Sequence, residues 1–253
     1  KMRDRCRVVV DAGGGYGGDT LNTALHMTRM GVKTGFLTAL GKDAFSDQLK
    51  DAWQAEGLDT RPILTHPSRQ PGLYAISTDA AGERSFTYWR NESAAREMFL
   101  CPDAATALAE ARQADLLVFS LITLAILPEA GRRQLLELAR AVRDHGGEVA
   151  FDSNYRPRLW PTAADARDAR DAAILCATIG LPTMEDEILL AGPQDASDIA
   201  GHWAGLGCST TIVKMGSAGC RVPSGAHIAP AALLSPVDTS GAGDAFNAGF
   251  LAA

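Results

Sequence analysis

Basic residues are in deficit, aromatic residues are scarce and no apolar run is long in this chain of 253 residues; each shortage removes a class of function. Lys and Arg number 24 against 30 Asp and Glu, the net charge is −6, no basic block occurs, and aromatics are 6% of the residues. A nucleic-acid partner calls for a basic face with interleaved aromatics, so none is expected. The longest apolar stretch, Leu116 to Leu127, is interrupted by Ser120 and Thr123 and is too short for a bilayer, which takes about 20 residues. No leader of the charged-then-apolar kind is visible, so no membrane partner is expected and the setting reads as cytoplasmic. The five cysteines, at 6, 101, 176, 208 and 220, are odd in number and lack metal-type spacing, which reads as free thiols in a reducing compartment. His26, His66, His145, His202 and His227 are scattered and read as surface or packing residues, and no residue is assigned as a direct metal ligand.

What is present is an α/β pattern long enough for one substantial core. From Asp115 onward short apolar runs alternate with amphipathic stretches. Leu116-Leu117-Val118-Phe119 is followed by a helix around Pro128 to Asp144, then by the strand Glu148 to Asp152. That order predicts βαβ units and a parallel sheet. A helix from about Thr162 to Ala173 precedes the apolar run Ile174-Leu175-Cys176, and a polar helix near Ala196 to Leu206 precedes Thr211-Ile212-Val213-Lys214. In the first part, Asp19 to Met30 reads as a helix, Thr34 to Thr38 as a strand and Ala44 to Glu56 as a helix that stacks Leu49 on Trp53. Between the halves, Gly72 to Thr78 and Arg84 to Trp89 read as a hairpin around Asp79-Ala80-Ala81-Gly82. Tyr74, Tyr88, Trp89 and Arg90 make it richer in polar aromatic chemistry than an ordinary hairpin, as a lid over a polar ligand or a contact with a second copy would require.

Two glycine signals compete. Gly13-Gly14-Gly15-Tyr16-Gly17-Gly18 matches GxGxxG after Val8-Val9-Val10, as a dinucleotide fold would. Against that reading, the next strand ends in Thr38-Ala39-Leu40-Gly41 with no acidic residue at its tip, and Asp43 lies 30 positions after Gly13, where about 20 are expected. The second signal, Asp238-Thr-Ser-Gly-Ala-Gly-Asp244, reads as a loop breaking into a helix. Gly241 and Gly243 allow backbone amides to approach an anion, and the helix start attracts negative charge. A carboxylate there suits a general base that deprotonates a hydroxyl while amides hold a phosphoryl group. An N-cap aspartate after a Gly-rich turn is the alternative.

Gly17-Gly18-Asp19-Thr20-Leu21-Asn22-Thr23-Ala24, paired with the Asp238–Asp244 segment 226 positions on from Gly18 to Asp244, resembles the two signatures of the ribokinase-like (PfkB) sugar kinases. Phe151-Asp152-Ser153-Asn154-Tyr155-Arg156-Pro157-Arg158-Leu159-Trp160, Pro71-Gly72-Leu73-Tyr74 and Tyr88-Trp89-Arg90-Asn91-Glu92 are similar to segments of the 2-keto-3-deoxygluconate kinases within that family. The resemblance implies a three-layer α/β sandwich with a mostly parallel central sheet and a small β-lid. It also implies ATP as co-substrate, Mg²⁺, a small-molecule sugar acid as substrate, and a possible homo-oligomer through the lid. It places Asp244 as the base, with the amides of Gly241, Ala242 and Gly243 as the anion hole. Gly18 and Asn22 would contact sugar hydroxyls, while Arg90 with Tyr74 and Tyr88 would grip the keto-acid end. Arg156 would lie near substrate and phosphates, Arg158 would be a structural or surface residue, and Lys214, Gly216 and Gly219 would line the nucleotide.

Two departures stand out. Where relatives carry an Asn-x-x-Glu motif that organises Mg²⁺ through water, this chain has Thr183-Met184-Glu185-Asp186-Glu187, which leaves Asp186 as the residue to act through water. Relatives also begin with a core strand and continue past the final helix. The expectation is therefore one kinase domain over 1–253, truncated at both ends, with lid strands within about 1–16 and 70–92. A kinase for another sugar such as fructose or ribose, a non-catalytic sugar-binding relative, and a nicotinamide oxidoreductase are the rival readings.

Overall fold

The computed structural model describes residues 15–78, 84–232 and 239–253, with the backbone alone at 75–78 and 84–86. The readings that fall on residues 1–14, including the first lid strand, Gly13 and Gly14, and on Asp238, lie outside the described residues.

The chain opens with α1 (Asp19–Arg29), β1 (Thr38–Leu40), α2 (Ala44–Ala55) and β2 (Ile63–Thr65), with β1 and β2 parallel. Asp43 starts α2 by accepting from the backbone N–H groups of Phe45 and Ser46, which leaves Trp53 buried on the inner face. The first strand was expected over 34–38. The ladder does begin there, with Asp59 N donating to Thr34 O and a bridge at Gly35, but the regular strand is 38–40, where all three residues are buried. The lid hairpin follows as β3 (Leu73–Thr78) and β4 (Arg84–Trp89), antiparallel with Tyr74 opposite Tyr88 and Leu73 opposite Trp89.

The second part is α3 (Ala104–Ala111), β5 (Leu116–Ser120), α4 (Leu121–Ile126), α5 (Glu129–Asp144), β6 (Glu148–Asp152), α6 (Ala163–Ile174), β7 (Ile179–Gly180), α7 (Met184–Ala191), α8 (Ala196–Gly205) and β8 (Thr210–Thr211). Strands β5, β6, β7 and β8 form a parallel sheet in that order. Ile212 N donates to Gly180 O and Lys214 N to Pro182 O, so the same extended run continues into β9 (Val213–Lys214). There it pairs antiparallel with β10 (Cys220–Arg221), which pairs with β11 (His227–Ile228). The chain then enters α9 (Ala242–Leu251).

Strand periodicity of two divides these strands between two apolar layers. Leu117, Phe119, Val149, Phe151 and Val213 point into a core built with Leu138, Ile174, Ile199 and Trp203 from the helices on one side. Leu116, Val118, Ala150, Ile179 and Ile212 point the other way, toward Phe246 and Leu251 of α9. Helices thus cover both faces of the sheet, the three layers that the resemblance implies.

The apolar run Ile174-Leu175-Cys176 is not a strand. Thr162 caps α6 through the backbone N–H of Asp165, and the helical stripe Ala166, Arg170, Ala173, Ile174 stays buried to the end, while Leu175 turns outward. The strand begins three residues beyond Cys176. Among the described residues no helix is long and apolar enough to cross a membrane.

Candidate active site

The N-terminus of α9 packs beside the N-terminus of α1, which brings the two glycine signals together. Gly241 is the N-cap of α9 with φ +76°, a left-handed turn that glycine adopts without strain, and Asp244 sits in the first turn. Ala242 and Gly243 face solvent while Asp244 is 7% exposed, so the helix start is open and the carboxylate is sunk beneath it. Ala242 N–H donates to Thr239 O in the turn, which turns that amide of the expected anion hole inward; Gly241 and Gly243 bracket it.

Asn22, one turn into α1, donates from Nδ2 to Asp244 Oδ2 at 2.8 Å and accepts from Gly18 N–H at Oδ1. Thr23 Oγ1 donates to the Asp244 carbonyl. Burial pushes the Asp244 carboxyl up to about 6; the Asn22 bond and Lys214 oppose that rise, and the nearby Asp19 and Asp152 carboxylates add to it. Asp19, at the first position of α1, accepts from Ser120 Oγ, and burial raises its carboxyl as well.

The lid reaches the glycines before α1. A Cβ on Gly17 would stand 3.0 Å from the Tyr74 hydroxyl and 3.7 Å from Asn22 Oδ1, so both polar groups border the Gly17-Gly18 backbone. Tyr74 and Tyr88 lie with ring centroids 6.1 Å apart on one face of the hairpin, and the Arg90 guanidinium lies 4.2 Å over the Tyr88 ring. Leu73 and Trp89, one position along, point to the opposite face and are exposed.

Arg156 follows β6 and donates to Asp186 Oδ1 at 3.1 Å and to its neighbour's carbonyl. Burial raises the Asp186 carboxyl, with the Arg156 charge opposing. Asp186 is held in place by the next residue: Glu187 is buried and accepts from Arg170 Nη1 of α6 at 2.6 Å. Arg158 is exposed, as expected. Of the nucleotide-side residues, Gly216 and Gly219 flank the turn between β9 and β10, and Gly219 backs onto the Ile228 carbonyl of β11. The Lys214 side chain points away from that turn into the interior, where Asp152 Oδ2 and Asn247 Oδ1 accept from its ammonium at 2.9 and 3.0 Å.

Asp19, Ser120, Asp152 and Asn247 are the residues to which sequence reasoning gave no role. Asp152 carried a signal, an acidic residue directly after the apolar Val149-Ala150-Phe151 of β6; Asn247 carried a weaker one, a polar residue one helical turn beyond Asp244. The histidines sit in packing and surface positions: His66 is buried, accepts the Ser68 and Arg69 backbone N–H groups at Nδ1 and faces Glu97, and His202 pairs with Asp171. No cluster of three or more His, Cys, Asp or Glu that could hold a metal occurs among the described residues.

The chain is 41% identical over 251 residues to a 2-dehydro-3-deoxygluconokinase of Dickeya dadantii, a match covering 95% of this chain and 81% of that protein. The fold superposes on a PfkB protein from Polaromonas sp. JS666 with a TM-score of 0.80 at 28% identity, over 92% of this chain and 76% of that one. Aminoimidazole riboside kinase from Salmonella enterica, complexed with aminoimidazole riboside and an ATP analogue, matches with a TM-score of 0.76 at 27% identity, over 93% of this chain and 75% of that one. The family model for pfkB carbohydrate kinases matches residues 9–253. With two glycine signatures meeting at one buried aspartate, and with these likenesses spanning the whole described fold, the chain belongs to the pfkB family of carbohydrate kinases.

Proposed function

We propose that this kinase transfers the γ-phosphoryl group of ATP to the terminal hydroxyl of 2-keto-3-deoxygluconate. The observation that carries the reading is Asp244, a buried carboxylate at the N-terminus of α9, hydrogen-bonded to Asn22, while the lid that carries Arg90 reaches Gly17 through Tyr74. The identity to the Dickeya dadantii enzyme supports the choice of sugar acid.

Asp244 accepts the proton of the sugar hydroxyl as its oxygen attacks phosphorus and the bond to ADP breaks. The amides of Gly241 and Gly243 at the start of α9 stabilise the charge that builds on the transferring group. Asn22 and the Gly18 backbone orient sugar hydroxyls, with Asn22 able to donate and accept at once. Arg90 pairs with the substrate carboxylate, its guanidinium kept in plane by Tyr88, while Tyr74 closes over Gly17. Gly216 and Gly219 offer backbone to the nucleotide.

Mg²⁺ keeps most of its coordination for water and phosphate and takes one or two carboxylates at most. Asp186, beside Arg156 near the carboxyl ends of the strands, fits that demand through water, and the ion would neutralise phosphate charge there. The test is coupled ADP release against a panel of sugars and sugar acids. Turnover should be fastest with 2-keto-3-deoxygluconate; equal or faster turnover of fructose or ribose would overturn the substrate assignment.

A further inference from the structure

A buried cation lies just beneath the base. Lys214 ends β9 with its ammonium bonded to Asp152 of β6 and Asn247 of α9, and Asn247 closes the ring by donating from Nδ2 to the same Asp152 oxygen at 2.6 Å. All three side chains are buried. Asn247 stands one helical turn beyond Asp244, so the ring ties the start of α9 to the ends of two strands. A Cβ on Gly243 would stand 3.8 Å from Lys214 Nζ, which places the ammonium against the backbone that leads into Asp244.

Cohesion alone does not call for these groups, because a buried ion pair is on average no more stabilising than apolar residues of the same volume. The surroundings of Asp244 supply another reason. Its carboxylate accepts the Asn22 amide from α1 and feels the charges of Asp19 from α1, Asp152 from β6 and Lys214 from β9. Lys214 is the cation of that set. Burial and two carboxylates raise such a base, and a cation opposes the rise.

We propose that Lys214 is a positioning residue for phosphoryl transfer: clamped by Asp152 and Asn247, it fixes the turn that aims Asp244 and sets a positive charge against that turn. The inference rests on the assignment of Asp244 as base. Lys214 is therefore an internal charge and not a phosphate ligand, which separates it from Gly216 and Gly219.

The experiment is kcat against pH for the full chain and for Lys214→Gln, Lys214→Arg, Asp152→Asn and Asp244→Asn. Lys214→Gln should move the acid limb to higher pH, so that its rate deficit at a pH below the limb exceeds the deficit at pH 8 by roughly tenfold. Lys214→Arg should restore the wild-type limb, and Asp152→Asn, which removes a negative charge, should move it to lower pH. A merely structural ring predicts a uniform loss at every pH with the limb fixed, and that result would overturn the inference. Should Lys214→Gln fail to fold, Lys214→Met, which removes the charge at similar volume, is read by the same criterion. Asp244→Asn keeps the two levels apart. A wild-type rate in that variant removes the base assignment itself, whereas a lost rate with unmoved limbs in the others removes the role of Lys214 alone.

Discussion

Asn22 Nδ2 and Asp244 Oδ2 meet at 2.8 Å, joining the first turns of two helices that lie 222 residues apart in sequence. A hydrogen bond from a neutral amide to a buried carboxylate favours the ionised form and is worth about 1.5–3 kcal/mol. Replacing Asn22 with Ala should therefore lift the acid limb of kcat above the wild-type position, beyond its effect on sugar binding. An unchanged limb with a raised KM would mean that Asn22 serves the sugar and leaves the base alone.

Asp244→Asn should lower kcat by roughly 10²–10⁴, with a much smaller change in sugar affinity. The same substitution should stabilise the fold. The folded carboxyl holds its proton up to about pH 6, against 3.8 for an ordinary aspartate. Between those values the folded state binds more protons than the unfolded state, so stability falls as pH rises through that window. Asn carries no such cost, and at pH 7–8 the variant should be more stable by about 1–3 kcal/mol. Urea melts of the two proteins at pH 4 and pH 8 check the sign. A variant less stable than wild type at pH 8 would contradict the electrostatic account.

For the wild-type enzyme, kcat should decline as pH drops through about 6, the position to which burial raises Asp244. A base must be deprotonated to work, so the limb lies on the acid side. A rate flat from pH 8 down to pH 5 would exclude Asp244 as the titrating group.

Arg90 rests over the Tyr88 ring, which orients its guanidinium without neutralising it. Arg90→Ala should weaken sugar-acid binding by about 2–5 kcal/mol if the pair is desolvated, and should narrow the preference over a neutral ketose. Measuring KM or Kd for both substrates is the check. Equal losses for acid and ketose would show that Arg90 does not read the carboxylate.

The sheet was legible where strands carry several consecutive apolar residues and helices are long. Residues 148–152 match β6 in both bounds, and α5 begins one residue after Pro128, since five consecutive strand positions and sixteen helical ones leave little ambiguity. β7 was not legible, because its two residues include a glycine and its apolar neighbours, Ile174 to Cys176, belong to the end of a helix. At the site, Asp244 and Asn22 were marked by glycines that announce an unusual backbone. The ring of Asp152, Lys214 and Asn247 had no such marker. Its bonds span 62, 33 and 95 residues, and no local period records a contact made through the sheet.

Gly180 shows how tightly that sheet is built against its helices. A Cβ there would stand 2.3 Å from Cε3 of Trp203, which is wholly buried and stacked on Phe151 at 5.6 Å between centroids. The indole is stacked against the Phe151 ring, and the Cys208 sulfur stands 3.1 Å from the same Cβ position, so the methyl is crowded from two sides. Gly180→Ala should thus cost about 1–3 kcal/mol by overpacking. It should leave the ionisation of Asp244 unaltered, since Gly180 makes no bond to the site. In a Trp203→Ala background, itself destabilised by about 3–5 kcal/mol, the added methyl has room, and Gly180→Ala should cost little or even stabilise. Denaturant melts of the four proteins in the double-mutant cycle measure the coupling. Additive losses would place the strain elsewhere than between Gly180 and Trp203.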